Sequence, residues 1–144
     1  MNKGLQITDK INLRLKALEE YVKILKSLQG LKASEIEENV DNRAKAERYL
    51  QLAAETCLDI AELVISNQRL RIPETSRDTI EILGDAGILD KDFAYEFAKI
   101  AGLRNILVHD YLEIDYGVIV QIINHRLEDF NHFAQKIAQF YSKT

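Results

Sequence analysis

The sequence predicts an all-α fold, a five-helix up-and-down bundle, and three observations carry that reading. The 144 residues hold one proline and six glycines, so few positions interrupt a helix. Leu, Ala, Glu, Lys and Gln, all good helix formers, fill the long stretches between them. Within those stretches the apolar residues recur at spacings of three and four, the period of a helix with one buried face. The length fits one domain over residues 1–144, large enough to bury a core without disulfide or metal staples.

The first helix is expected from about Thr8 to Gln29, with Ile11, Leu15, Leu18, Val22, Leu25 and Leu28 as its apolar stripe and Gly30 as its stop. Ser34 and Glu37 have capping-box spacing and can open a second helix running to about Asn67. Asn39 or Asp41 are alternative caps that would leave residues 31–40 as a turn. Ala44, Ala46, Ala53, Ala54, Cys57 and Ala61 make this helix rich in small side chains, which allows close packing on several sides and a central place. Gln51, Glu55, Asp59 and Glu62 form a polar stripe along it, either a solvated face or a wall beside a site. Thr75 and Asp78 mark the start of a short third helix, ended by Gly84 and Gly87. Asp90 is placed to cap a fourth, carrying Phe93, Phe97, Ile100, Ala101 and Leu103. Asp115 caps a last helix over about Tyr116 to Tyr141, with Val120, Ile123, Leu127, Phe130, Ala134 and Ile137 as its buried row.

Composition narrows the function classes. Apolar residues at 47% and charged residues at 29% are the balance of a soluble globular domain. The single cysteine, Cys57, rules out an internal disulfide and leaves no cysteine cluster for zinc. No apolar signal region and no stretch of membrane-spanning length appear, so a cytoplasmic protein with no membrane partner is expected. The net charge of −4 argues against a broad basic surface, so contact with nucleic acid would have to rest on a local patch.

One segment has the side chains for such chemistry: Arg104-Asn105-Ile106-Leu107-Val108-His109-Asp110-Tyr111. On a helix continued through Tyr111, Arg104 and Tyr111 lie nearly in line, about 10 Å apart along the axis, with Asn105 and His109 as a row beside them. Ile106 and Leu107 would point away into the core. Histidine takes and gives protons near neutral pH, and arginine forks onto phosphate oxygens. Asparagine can orient the histidine or donate to phosphate, and tyrosine adds a hydroxyl. RNA supplies its own nucleophile, the 2′-hydroxyl, so these groups suit phosphodiester cleavage without a metal. Spacing alone leaves an ordinary helix surface open as well.

The segment also matches the Arg-x4-His-x-Tyr motif of the HEPN superfamily, in the version where Asn follows Arg. The chain resembles the HepT-like branch of that superfamily in Arg48–Gln51, Cys57–Ala61, Ile72–Asp78 and Ala101–Tyr111, and more loosely over most of residues 40–140. That resemblance implies a homodimeric helical bundle with the motif near the dimer interface. It implies a metal-independent endoribonuclease toxin needing no cofactor, with RNA as substrate and a minimal nucleotidyltransferase antitoxin as partner. Arg104 and His109 would be catalytic and Asn105 supporting, while Tyr111 would accept AMP from the antitoxin. Arg48, Glu55 and Asp59 are candidate supports for the RNA cleft. Two facing copies would supply both an acid and a base. A different class also fits: a non-catalytic helical module that binds a nucleotidyltransferase and presents a substrate to it. The acidic charge favours that module; the intact motif favours the enzyme.

Other notable residues read as structural. His125 and His132 stand two turns apart, too far to share a metal without other ligands. Arg43, Lys45 and Arg48 suit a solvated helix face, Cys57 a core position, and Tyr49, Tyr95 and the phenylalanines packing.

Overall fold

The computed structural model describes residues 3–109 and 114–142, and every regular element among them is helical. Eight helices follow one another: α1 (Lys3–Lys26), α2 (Ala33–Glu37), α3 (Val40–Gln68), α4 (Ser76–Asp85), α5 (Lys91–Phe97), α6 (Ile100–His109), α7 (Tyr116–His125) and α8 (Leu127–Ser142). The all-α class stands, but the count of five is corrected. The turn before α3 forms a helix of its own, and two of the expected rods are each broken once.

The breaks have visible causes. Between α5 and α6 the N–H groups of Lys99, Ala101 and Gly102 reach back three residues rather than four, at 3.1–3.2 Å, which overwinds the chain and re-aims α6. At Arg126 the backbone leaves the helical basin (φ −123°, ψ 3°), and its Nε bonds the Asp129 carboxylate one turn on, at 2.9 Å. The helix starts are set by side chains that replace missing backbone partners. Asn39 accepts from the Asn42 N–H at 3.0 Å, Thr75 from that of Asp78 at 3.0 Å and Asp115 from that of Gly117 at 2.9 Å. The Ser34–Glu37 box does not form; the Glu35 carboxylate takes the Lys32 N–H at 3.0 Å instead. Asp90 stands at the start of α5, but its carboxylate makes no cap. It bridges to α8, 3.3 Å from His132 Nε2 and 3.5 Å from Lys136 Nζ, because cationic partners attract a carboxylate more strongly than a neutral N–H does.

The stripe of α1 is buried as expected, with Leu15 half-buried. Ala46, Ala53, Ala54, Cys57 and Ala61 are fully buried, and α3 touches α1, α2, α4, α6 and α8, so it is the central helix; Ala44 faces out. Gly84 lies inside α4 rather than ending it, since a Cβ there would stand 2.6 Å from the Ala94 Cβ of α5. Phe97 stacks on Phe93 and Phe133 and meets Phe130 edge-on, which ties α5 to α8. No helix among the described residues is long and apolar enough to cross a membrane.

Candidate active site

Helix α6 carries most of the motif and lies against α3 and α4. Ala101 and Leu107 are buried, while Gly102, Asn105, Ile106 and His109 are exposed along one stripe, at steps of three and four. Arg104 lies between the two faces and is half-buried. This corrects one expectation: Leu107 enters the core, but Ile106 is 39% exposed on the same face as Asn105 and His109.

Arg104 turns inward to a cleft of about 150 Å³ lined by Glu55, Leu58, Asp59 and Glu62 of α3 and by Ser76 of α4. Its Nη2 donates to Ser76 Oγ at 3.3 Å, and its Nε is shut away from water without a hydrogen-bond acceptor. The polar stripe of α3 is thus the wall beside the motif arginine. Gln51 donates to Glu55 at 3.1 Å and braces the stripe. Partial burial pushes the Asp59 carboxyl up from its ordinary range. Arg14 of α1 pulls it down, Glu55 raises it, and Arg104 pulls it down more weakly.

Asn105 and His109 are exposed and hydrogen-bond neither each other nor any other described residue, so both are open to a ligand. His109 forms the last turn of α6, where α6 ends; Asp110 and Tyr111, the rest of the motif, lie outside the described residues. Of the three candidate cleft supports, Glu55 and Asp59 line the Arg104 cleft, whereas Arg48 is exposed on α3 and lines no part of it. Arg43 donates to the Glu37 carbonyl at 3.1 Å, which holds α2 onto α3. His132 packs edge-on against Phe93, with ring centroids 4.5 Å apart. Cys57 is buried, and burial pushes its thiol up. Tyr49 packs on Tyr21, but Tyr95 is exposed and its hydroxyl donates to Asp85 at 2.9 Å.

Two residues at the cleft were not visible from the sequence. Ser76 is separated from Arg104 by 28 positions, and although the Thr75 cap and the resemblance over Ile72–Asp78 mark its neighbourhood, neither points to Arg104. Arg14 lies on the flank of α1, outside the apolar stripe that reveals that helix.

The exposed side of α6 borders an apolar groove of about 450 Å³, lined by Phe97, Leu103, Ile122 and Phe130. Ile106 and Val118, 39% and 50% exposed, stand at its edges. Glu96, Lys99, Arg126 and Asp129 give it a charged rim, with Lys99 2.9 Å from Glu96. Gly102 opens onto it, and a Cβ added there would meet nothing within 4 Å.

Comparison with known proteins identifies the family and the fold. A family model described as ribonuclease HepT-like matches residues 18–137. The mRNA nuclease HepT of Shewanella oneidensis is 39% identical over 88 residues, 61% of this chain and 66% of that protein. The tRNA nuclease HepT of Aphanizomenon flos-aquae is 26% identical over 130 residues, 90% of this chain and 88% of that one. Among solved structures, a toxin–antitoxin complex with AMP-PNP superposes at a TM-score of 0.83 with 29% identity, covering 91% of this chain and 98% of that one. The tri-AMPylated HEPN toxin of S. oneidensis, in complex with MNT antitoxin, superposes at 0.81 with 29% identity, covering 96% and 99%. The chain belongs to the ribonuclease HepT-like family, within the HEPN fold that its motif resembles.

Proposed function

We propose that this chain is the toxin of a toxin–antitoxin pair, an endoribonuclease that cleaves RNA without a metal and is silenced by adenylylation. The observation that carries the reading is the layout of α6. Arg104 is held at the edge of a cleft while Asn105 and His109 stand exposed on the adjoining face of the same two helical turns. The names of its relatives, HepT nucleases and an AMPylated toxin bound to MNT antitoxin, support the same assignment.

The chemistry follows from the groups. The 2′-oxygen of a ribose attacks the adjacent phosphorus, forming the O2′–P bond as the P–O5′ bond breaks. One His109 takes the 2′-hydroxyl proton, and a second, protonated His109 gives its proton to the departing 5′-oxygen. The products are a 2′,3′-cyclic phosphate and a 5′-hydroxyl. Arg104 stabilises the charge growing on the phosphate oxygens, with Asn105 donating beside it. One chain holds one His109, so the acid and the base come from two copies. The exposed face of α6 and its apolar groove are the surface on which they meet. RNA approaches from the solvent side of α6 and meets Arg104 at the mouth of its cleft, whose acidic wall of Glu55, Asp59 and Glu62 disfavours deeper entry of a polyanion. Tyr111 is the AMP acceptor, and a nucleotidyltransferase antitoxin is the donor enzyme. The added phosphate and nucleoside place negative charge and bulk where RNA must bind.

Total RNA incubated with the purified chain and EDTA, followed by sequencing of fragment ends, tests the reading. Cleavage leaving cyclic phosphate and 5′-hydroxyl ends is expected, and His109→Ala should lower it by about 10²-fold or more while the fold and dimer persist. Pre-incubation with the antitoxin and ATP should add AMP mass to the Tyr111 peptide and abolish cleavage. A fully active His109→Ala variant rejects the mechanism. A chain that cuts no RNA but still takes AMP is the helical module rather than the nuclease.

A further inference from the structure

Ser76 is assigned no role by the motif, yet it supplies the hydroxyl that Arg104 contacts, at 3.3 Å. Its place is fixed twice over. It is the first residue of α4, immediately after the Thr75 cap. The preceding turn is clamped by Arg71, whose two Nη atoms bond the Asp78 carboxylate at 2.7 and 2.8 Å, and by the Glu74 N–H on the same carboxylate at 3.1 Å. A bidentate pair of this kind gives direction as well as energy. Glu55, Asp59 and Glu62 put three carboxylates in the same small cleft, and yet Arg104 forms no ion pair within 4 Å among the described residues. Arg104 acts on Asp59 only through space, the weakest of the charges named for that carboxyl, while its hydrogen bond goes to the neutral Ser76 hydroxyl. The buried, unpartnered Nε shows that the side chain is fixed in a pose that does not satisfy it fully within this chain.

We propose that Ser76 is a positioning residue of the active site: its hydroxyl holds the Arg104 guanidinium off the acidic stripe of α3 and keeps it available to the phosphate in the transition state. The inference rests on the ribonuclease reading above. Without the hydroxyl, Arg104 turns onto Glu55 or Asp59, and its charge is spent within the protein. Arg104 remains the group that touches RNA; Ser76 acts through it.

The test uses the full-length chain and a short RNA that the wild type cleaves, with kcat and KM measured separately. Ser76→Ala should lower kcat about tenfold with KM changed less than about twofold, because a misdirected arginine fails chiefly where charge develops. Ser76→Thr, which keeps a hydroxyl, should restore most of the rate. In an Arg104→Lys background, which has no guanidinium to orient, Ser76→Ala should have almost no further effect. Melting temperature should not move, since Thr75 and not Ser76 caps α4. A wild-type rate in Ser76→Ala overturns the proposal and leaves the nuclease intact. So does an equal loss in the Arg104→Lys background, which would make Ser76 merely structural. A wild-type chain that cleaves no RNA overturns the ribonuclease reading and the proposal together.

Discussion

Tyr116 opens α7 and donates its hydroxyl to the Glu47 carboxylate of α3, just past the segment that completes the motif. Burial raises the Tyr116 phenol, and the Glu47 hydrogen bond raises it further, to about 12. A folded-state value above the unfolded one near 10 means that folding favours the neutral phenol. Its contribution to stability is therefore complete below pH 10 and lost as pH rises towards 12. Tyr116→Phe should destabilise the chain at neutral pH by about 1–2 kcal/mol, the worth of a hydrogen bond to a charged acceptor. It should also flatten the fall in melting temperature between pH 10 and 12; an unchanged fall would place its origin elsewhere. At this scale the sequence revealed groups whose chemistry is intrinsic. Arg104 and His109 could be picked out as candidates because their residue types suit phosphate chemistry and their spacing matches a family motif, although the spacing alone also fits an ordinary helix surface. Ser76 and Arg14 could not, because their significance is a relation to Asp59 or Arg104 that only folding creates. Ile106 was assigned inward because apolar residues usually are, but it stands 39% exposed on the face it shares with Asn105 and His109.

Two glycines show how far helices could be read and where reading stopped. Gly84 was expected to end its helix but lies within α4, and Gly102 lies within α6. Gly84 is there because α5 crosses close: a methyl would stand 2.6 Å from Ala94 Cβ. Gly84→Ala should therefore destabilise by about 1–3 kcal/mol from overpacking, outweighing the roughly 1 kcal/mol that alanine adds to a helix. Gly102→Ala meets no neighbour and should stabilise the isolated chain by about 0.5–1 kcal/mol. Denaturant midpoints of the two variants should move in opposite directions; movement in the same direction would refute the close approach at Gly84. Helix periodicity and caps marked the helical stretches but missed α2 and the breaks that divide two of them, while the caps at Asn39, Thr75 and Asp115 formed where their residue types suggested. The break at Arg126 carries no proline or glycine, and that at Lys99 has only Gly102 at the end of its overwound stretch. They come from three-residue backbone bonds and from a guanidinium seated on Asp129, which local patterns do not announce.

The whole molecule has a net charge of −4, an awkward total for the RNA binding proposed above, and association of two copies would resolve it locally. Pairing along the exposed face of α6 would bring two Arg104 and two His109 side chains to one cleft, while the acidic stripes of α3 stay behind them. The surface suits that union. Ile106 and Val118 flank an apolar groove, and Gly102 offers a notch where a second helix can approach closely. In a twofold pair each substitution acts twice, so Ile106→Asp places two carboxylates in one desolvated interface. Like charges so placed cost several kcal/mol, enough to separate a small dimer at micromolar concentration. Because Ile106 is already 39% exposed in the single chain, the variant should fold with nearly unchanged melting in the monomer. Light scattering should then report a monomer where the wild type is a dimer. RNA cleavage should fall with the dimer and recover in part at high protein concentration, since the chemistry needs two copies of His109. A variant that remains dimeric would place the interface on another face, and a monomer that cleaves as fast as the dimer would return both proton transfers to a single chain.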